Sequence, residues 1–152
     1  MLSHQLCGVL SVLVIGGGAG CGESFAVSDQ NLSGTAFGAD WVFVTGETSA
    51  FLSEGEDDFF SSLYGEDHEA CGFGGPSGPE LLGGVPKVAG EYELDFPERT
   101  FTFAMGGDNL IATEGVIVVE EVTETTVTGG LHIKYDDDNE VDGNFELTIC
   151  VD

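Results

Sequence analysis

The sequence has almost no positive charge. Lys87, Arg99 and Lys134 are its only Lys and Arg residues, set against 28 Asp and Glu, for a formal net charge of -25. A field of that sign repels phosphate, which excludes nucleic acid and bare anionic lipid as partners and leaves cations, basic proteins and salt. Long apolar runs are also missing. The longest, residues 6–15, is too short to span a bilayer as a stable helix. No segment carries a 3.6-residue apolar period over ten residues, which argues against a helical fold. No serine sits in a nucleophile-elbow pattern, and only His68 and His132 lie beyond the first few residues. Carboxylate pairs arise by chance among so many acids, so they give a carboxylate-dependent hydrolase no weight of its own. That reading would need a concave pocket with paired, shifted carboxylates, and the sequence is read as non-enzymatic.

What is present begins with a leader. The run Leu-Cys-Gly-Val-Leu-Ser-Val-Leu-Val-Ile at 6–15 has the length of a signal-peptide core, and small residues at 16–20 then lead to Cys21. Every acidic residue lies at or beyond Glu23, so the whole net charge falls on the part that would remain after cleavage. The same stretch imitates the strand and glycine loop of a dinucleotide site. Cys21 occupies the third glycine position, however, and no helical period follows to hold a pyrophosphate.

The stretch Gly18-Ala19-Gly20-Cys21 resembles the lipobox of bacterial lipoprotein leaders. Gly18 stands where that family prefers Leu, and only His4 precedes the run where Lys or Arg is usual. The resemblance implies cleavage before Cys21, a diacylglyceryl thioether on its sulfur, and attachment to the outer membrane, cell surface or periplasmic face through that anchor. The expected organisation is a signal peptide over 1–20, a tether over 21–33 and a single domain over 34–152.

That domain reads as all-β, an antiparallel β-sandwich or open barrel. Thr35 and Phe37, then Trp41 and Phe43, recur at strand spacing around Gly38. Phe51 and Leu52 start another candidate strand, and residues 59–64 fit either a strand or one helical turn. Residues 72–90 hold seven Gly and three Pro and read as a long loop. Tyr92, Leu94 and Phe96 alternate with acids, Phe101, Phe103 and Met105 alternate with Thr, and Pro97-Glu98 is a tight connection between them. The β-branched run at 116–119 predicts a strand buried on both faces. Strands follow with Leu131, Ile133 and Tyr135 on one face, then Phe145, Leu147, Ile149 and Val151.

Cys71 and Cys150 are the cysteines of this domain, and in an exported protein they most simply form one disulfide, stapled across the outside or the edge of the last strand. The rival is a metal set of His68-x-x-Cys71 with His132 and Cys150, of zinc-ligand type but with one close pair where structural sites show two. Asp136, Asp138, Glu140 and Asp142 form the densest acidic cluster and are the candidate ligands of a calcium ion. Counted from Asp138, the twelfth position of a helix-loop-helix calcium loop is Ile149, so the reading is a looser site in a hairpin turn, against a solvated hairpin tip. The run Glu54-Gly55-Glu56-Asp57-Asp58 has the same two readings. Trp41, Tyr64 and Phe73 are candidates for an exposed aromatic platform or for core.

With these elements in place, residues 32–152 resemble a loose group of small, mostly uncharacterised predicted lipoproteins of Gram-negative bacteria. The landmarks are Leu32-Ser33-Gly34-Thr35-Ala36-Phe37, Cys71, Pro86-Lys87-Val88-Ala89-Gly90-Glu91-Tyr92, Gly115-Val116-Ile117-Val118, Val127-Thr128-Gly129-Gly130-Leu131 and Val141-Asp142-Gly143-Asn144-Phe145. They are read as turn glycines and core residues, and the resemblance transfers no catalytic role.

Overall fold

A two-residue rhythm of apolar and polar side chains governs the chain from residue 33 onward, and the strands follow it. The computed structural model describes residues 24–151, so the leader and the Cys21 anchor position lie outside the described residues. The elements in chain order are β1 (Ser33–Ala36), β2 (Ala39–Val42), β3 (Thr45–Thr48), α1 (Ala50–Ser53), β4 (Asp58–Tyr64), β5 (Glu80–Pro86), β6 (Gly90–Glu93), β7 (Phe101–Met105), β8 (Asp108–Ala112), β9 (Glu114–Val122), β10 (Thr126–Asp136) and β11 (Asn139–Thr148).

The fold is all-β, and its strands join one hydrogen-bonded sheet. Nine strands run in the order β6-β9-β10-β11-β3-β4-β5-β7-β8, with the β1–β2 hairpin attached to β11. Of the two architectures the alternation allowed, this is the open-barrel form. Thr113 alone joins β8, at one edge, to β9, beside the other edge. The sheet therefore curls until β8 lies against β10 and β5 against β9, giving a half-barrel. The concave face holds the core, with Leu63, Leu81, Phe101, Phe103, Ile117, Leu131, Ile133 and Leu147 all fully buried.

Several elements differ from the sequence reading, each for a local reason. Phe51 and Leu52 lie in the helical turn α1 and are exposed. Ser49 caps that turn by accepting from the Leu52 amide at 3.3 Å. Residues 59–64 resolve as strand β4. The glycine-rich stretch is a loop only as far as residue 79, and β5 follows with Leu81 and Val85 in the core. Gly83 belongs there because a Cβ would lie 2.7 Å from the Phe101 ring. The short strands β3 and β8 gave no strong alternation of their own.

The tight connection at Pro97-Glu98 is present, closed by reciprocal backbone hydrogen bonds between Asp95 and Arg99. The strands on either side of it do not pair. β6 pairs with β9, whereas β7 pairs with β5 and β8. Phe96, Met105, Tyr135 and Val151, read as inward, lie near strand ends or beyond them and are exposed.

Candidate functional site

On β10 and β11, odd-numbered side chains fill the core and even-numbered ones face outward. Pairing of His132 with Asp142 and of Lys134 with Glu140 sets two basic side chains opposite two carboxylates on that outer face. His132 Nε2 lies 3.0 Å from Glu140 Oε1, and its Nδ1 lies 2.8 Å from the Ala26 carbonyl and 4.0 Å from Asp142 Oδ2. Lys134 Nζ sits 3.1 Å from Asp137 and 3.6 Å from Glu140.

The outer face is not open. Residues 24–32, read as part of a tether, cross it as a strap. Ser28 donates its amide to Asp142 Oδ1 at 2.8 Å and its hydroxyl to Oδ2. The Phe25 ring meets His132 edge-on at 4.9 Å between centroids. Backbone bonds between Gln30, Leu32 and Asn144 tie the end of the strap to the edge of β11, and Leu32 is buried in the core.

Two glycines seat the strap. A Cβ at Gly130 would lie 2.3 Å from Val27, and one at Gly143 would lie 2.7 Å from the Gln30 and Asn31 backbone. Gly129, Gly130 and Gly143 are therefore not turn glycines as the sequence suggested. They lie within strands, where missing side chains let another segment approach. Gly130 and Gly143 were also the one available signal for the strap, whereas Gly129 makes room for β9.

Between the strap and strands β6 and β9 lies a groove of about 530 Å³, lined by Phe25, Val27, Asp29, Glu91, Val118 and Glu120, among others. It continues past Val116 towards Glu93 and Glu114, and no Lys or Arg lines either part. Val116 and Val118 share the outer face of β9, so the β-branched run is covered on both sides, as its composition suggested.

Burial by itself lowers the His132 pKa. The Glu140 hydrogen bond, the Ala26 carbonyl and the charges of Asp142 and Glu140 outweigh it, and the net direction is upward.

Three of the four candidate calcium ligands, Asp136, Glu140 and Asp142, are engaged in other contacts. Asp136 Oδ1 accepts from the Asp138 amide at 3.0 Å and from Asn139 Nδ2 at 2.8 Å, which shapes the hairpin tip. Asp138 lies at that tip, exposed, while Glu140 and Asp142 pair with His132, Lys134 and Ser28. No three of the four bring their oxygens together as shared ligands, and a calcium shell would first have to break these contacts. Trp41 and Tyr64 are core, the indole donating to the Pro79 carbonyl at 3.0 Å. Phe73 is fully exposed.

Cys71 and Cys150 are joined, with Cα atoms 5.5 Å apart across a sequence separation of 79. The bond sits at the β11 edge beside β3. The Cys71 amide donates to the Glu47 carboxylate, and the Cys150 amide donates to Thr48 Oγ1 at 3.2 Å. The rival set does not assemble, since His132 lies under the strap. Burial pushes up the pKa of Tyr64, whose hydroxyl is 3.5 Å from Glu47 Oε1, and also that of Glu80.

Fold and site together define a class: an all-β half-barrel with a single disulfide among its described residues and an acidic groove beneath an N-terminal strap. No family model, curated protein or solved structure matches the chain.

Proposed function

We propose that the protein is an exported, lipid-anchored envelope or surface module that acts by binding rather than by catalysis, and that its partner is a basic segment of another protein. The Cys71–Cys150 bond is the observation that carries the export reading, since such a disulfide persists in an oxidising compartment. The lipobox-like Gly18-Ala19-Gly20-Cys21 supplies the anchor at Cys21. The strap groove supplies the binding half. Carboxylates of Asp29, Glu91, Glu93, Glu114 and Glu120 line it, beside apolar Val116 and Val118. Lys and Arg side chains suit such a site, because their stems lie on apolar surface while their heads meet carboxylates.

Intact mass of the protein taken from membranes tests the anchor. The expected species begins at Cys21 and carries a diacylglyceryl group, and Cys21→Ala releases the protein from the membrane. A mature chain with unmodified Cys21 overturns that part. Calorimetric titration with an oligolysine peptide at low salt tests the groove. Binding is expected to weaken at least tenfold in Glu91→Gln/Glu93→Gln/Glu120→Gln, a loss of about 1.4 kcal/mol. Equal affinity in both proteins places any binding elsewhere on the acidic surface.

A further inference from the structure

The disulfide corner contains more chemistry than a staple requires. Glu47, Cys71 and Cys150 each place one ligand atom within 4.8 Å of the others. His68 stands beside this group rather than within its 4.8 Å span, its Nε2 3.5 Å from Glu47 Oε1. That nitrogen is buried and has no hydrogen-bond partner, although the imidazole is held edge-on against the Tyr64 ring at 5.1 Å. A buried nitrogen that faces a carboxylate without a hydrogen bond calls for an explanation. The four residues come from three separate chain segments: β3, the 65–79 loop and the end of β11.

We infer that this corner is a redox-gated zinc site, closed as a disulfide when oxidised and able to hold Zn²⁺ through Cys71, Cys150, His68 and Glu47 when reduced. The inference does not depend on the proposed export or on the groove. Two thiolates, one imidazole and one carboxylate form a four-coordinate set of zinc type, and thiolate sulfur selects zinc over calcium or magnesium. Ligand atoms around a tetrahedral zinc lie roughly 3.3–3.8 Å apart. Glu47 and His68 already meet that spacing, and the sulfurs reach it by side-chain rotation from Cα atoms 5.5 Å apart. Opening the site consumes one dithiol. It transfers two electrons and two protons to the S–S bond, is itself oxidised to a cyclic disulfide, and leaves two thiols on the protein. Zinc then displaces both thiol protons to solvent and forms two Zn–S bonds. Cys71 is exposed, so the reductant has access. Zinc would then hold the 65–79 loop to the same strand end that the disulfide holds, replacing one cross-link by another.

The test uses cobalt as a spectroscopic stand-in for zinc on the protein from residue 22 onward, whose only cysteines are Cys71 and Cys150. After reduction and removal of the reductant, one equivalent of Co²⁺ is expected to produce a thiolate-to-cobalt charge-transfer band and visible tetrahedral bands that Zn²⁺ abolishes. The disulfide form is expected to show neither, which separates the site from ion binding by the acidic surface. Cys150→Ser removes the charge-transfer signal of a two-thiolate site. His68→Ala and Glu47→Gln each weaken zinc affinity at least tenfold. Both variants keep the cysteines, so circular dichroism of their oxidised forms verifies the fold. If the reduced apoprotein loses structure, recovery of its β signal at one equivalent of Zn²⁺ supports the site, and no recovery counts against it. Absence of the charge-transfer band in the reduced protein, or unchanged affinity in both His68→Ala and Glu47→Gln, overturns the assignment.

Discussion

His132 is an imidazole placed among carboxylates, and its titration follows from what touches it. Burial opposes its charge, while Glu140, Asp142 and the Ala26 carbonyl favour it and prevail. A folded-state pKa above the ordinary 6.5 means that the imidazolium stabilises the fold. That contribution is complete below the unfolded value and disappears as pH rises through the folded one. Denaturant unfolding of wild type and His132→Gln should therefore differ most below the ordinary imidazole value of 6.5 and converge as the pH rises past the raised folded-state value. A difference that does not vary with pH would show that the ring acts through packing against Phe25 alone. Gly143 matters through shape rather than charge. Its φ is 139°, and a Cβ would meet the backbone of Gln30 and Asn31. Gly143→Ala is expected to cost about 2–4 kcal/mol and to speed amide exchange in residues 30–32. Unchanged exchange there would mean that the strap does not depend on this contact.

At the scale of elements, legibility depended on whether a strand's partners were close in sequence. β9, β10 and β11 form a meander; alternation on β10 and β11 placed Leu131, Ile133, Phe145 and Leu147 in the core, and the continuous β-branched run of β9 marked a buried strand. β5 was hidden because Gly83 and Gly84 in its middle read as loop, and the Phe101 ring and the Thr100 carbonyl on the neighbouring segment explain Gly83. β3 was hidden because Thr45–Thr48 carries no apolar alternation. It is held by β4 and by a parallel contact between Glu47 and Thr148. The disulfide locks the weakest of these junctions, since β3 meets β11 through that one residue pair. Cross-linking a separation of 79 corresponds to ~4.5 kcal/mol in the chain-entropy picture, and observed losses are usually about 2–4 kcal/mol. Cys150→Ser, measured with a chelator present, is expected to lose that amount, with hydrogen exchange rising first in β3 and the 65–79 loop. Exchange that rises first at the β6 or β8 edge would place the weak junction elsewhere.

Charge dominates the behaviour of the whole molecule. All three Lys and Arg side chains have carboxylate or carbonyl partners. Arg99 pairs with Asp58 at 3.1 Å and stacks on Tyr92, Lys87 donates to the Ser53 carbonyl at 2.6 Å, and Lys134 pairs with Asp137 and Glu140. The remaining carboxylates repel one another across a small surface, and salt screens that repulsion. Monovalent salt should raise the melting temperature by about 5 °C or more, the shift that roughly 1 kcal/mol gives a domain of this size. A flat response up to molar salt would mean that the acids are too well solvated to strain the fold. The sequence by itself determined the sign of the field, the β rhythm, most of the core and the cysteine pair, because each depends on composition or on residues close along the chain. Only the tertiary structure decided that one curled sheet closes the core, that residues 24–32 cover His132 and form a groove, and that Glu47 and His68 meet the disulfide. Each of those contacts joins segments distant in sequence, and no local pattern encodes which distant segment will arrive.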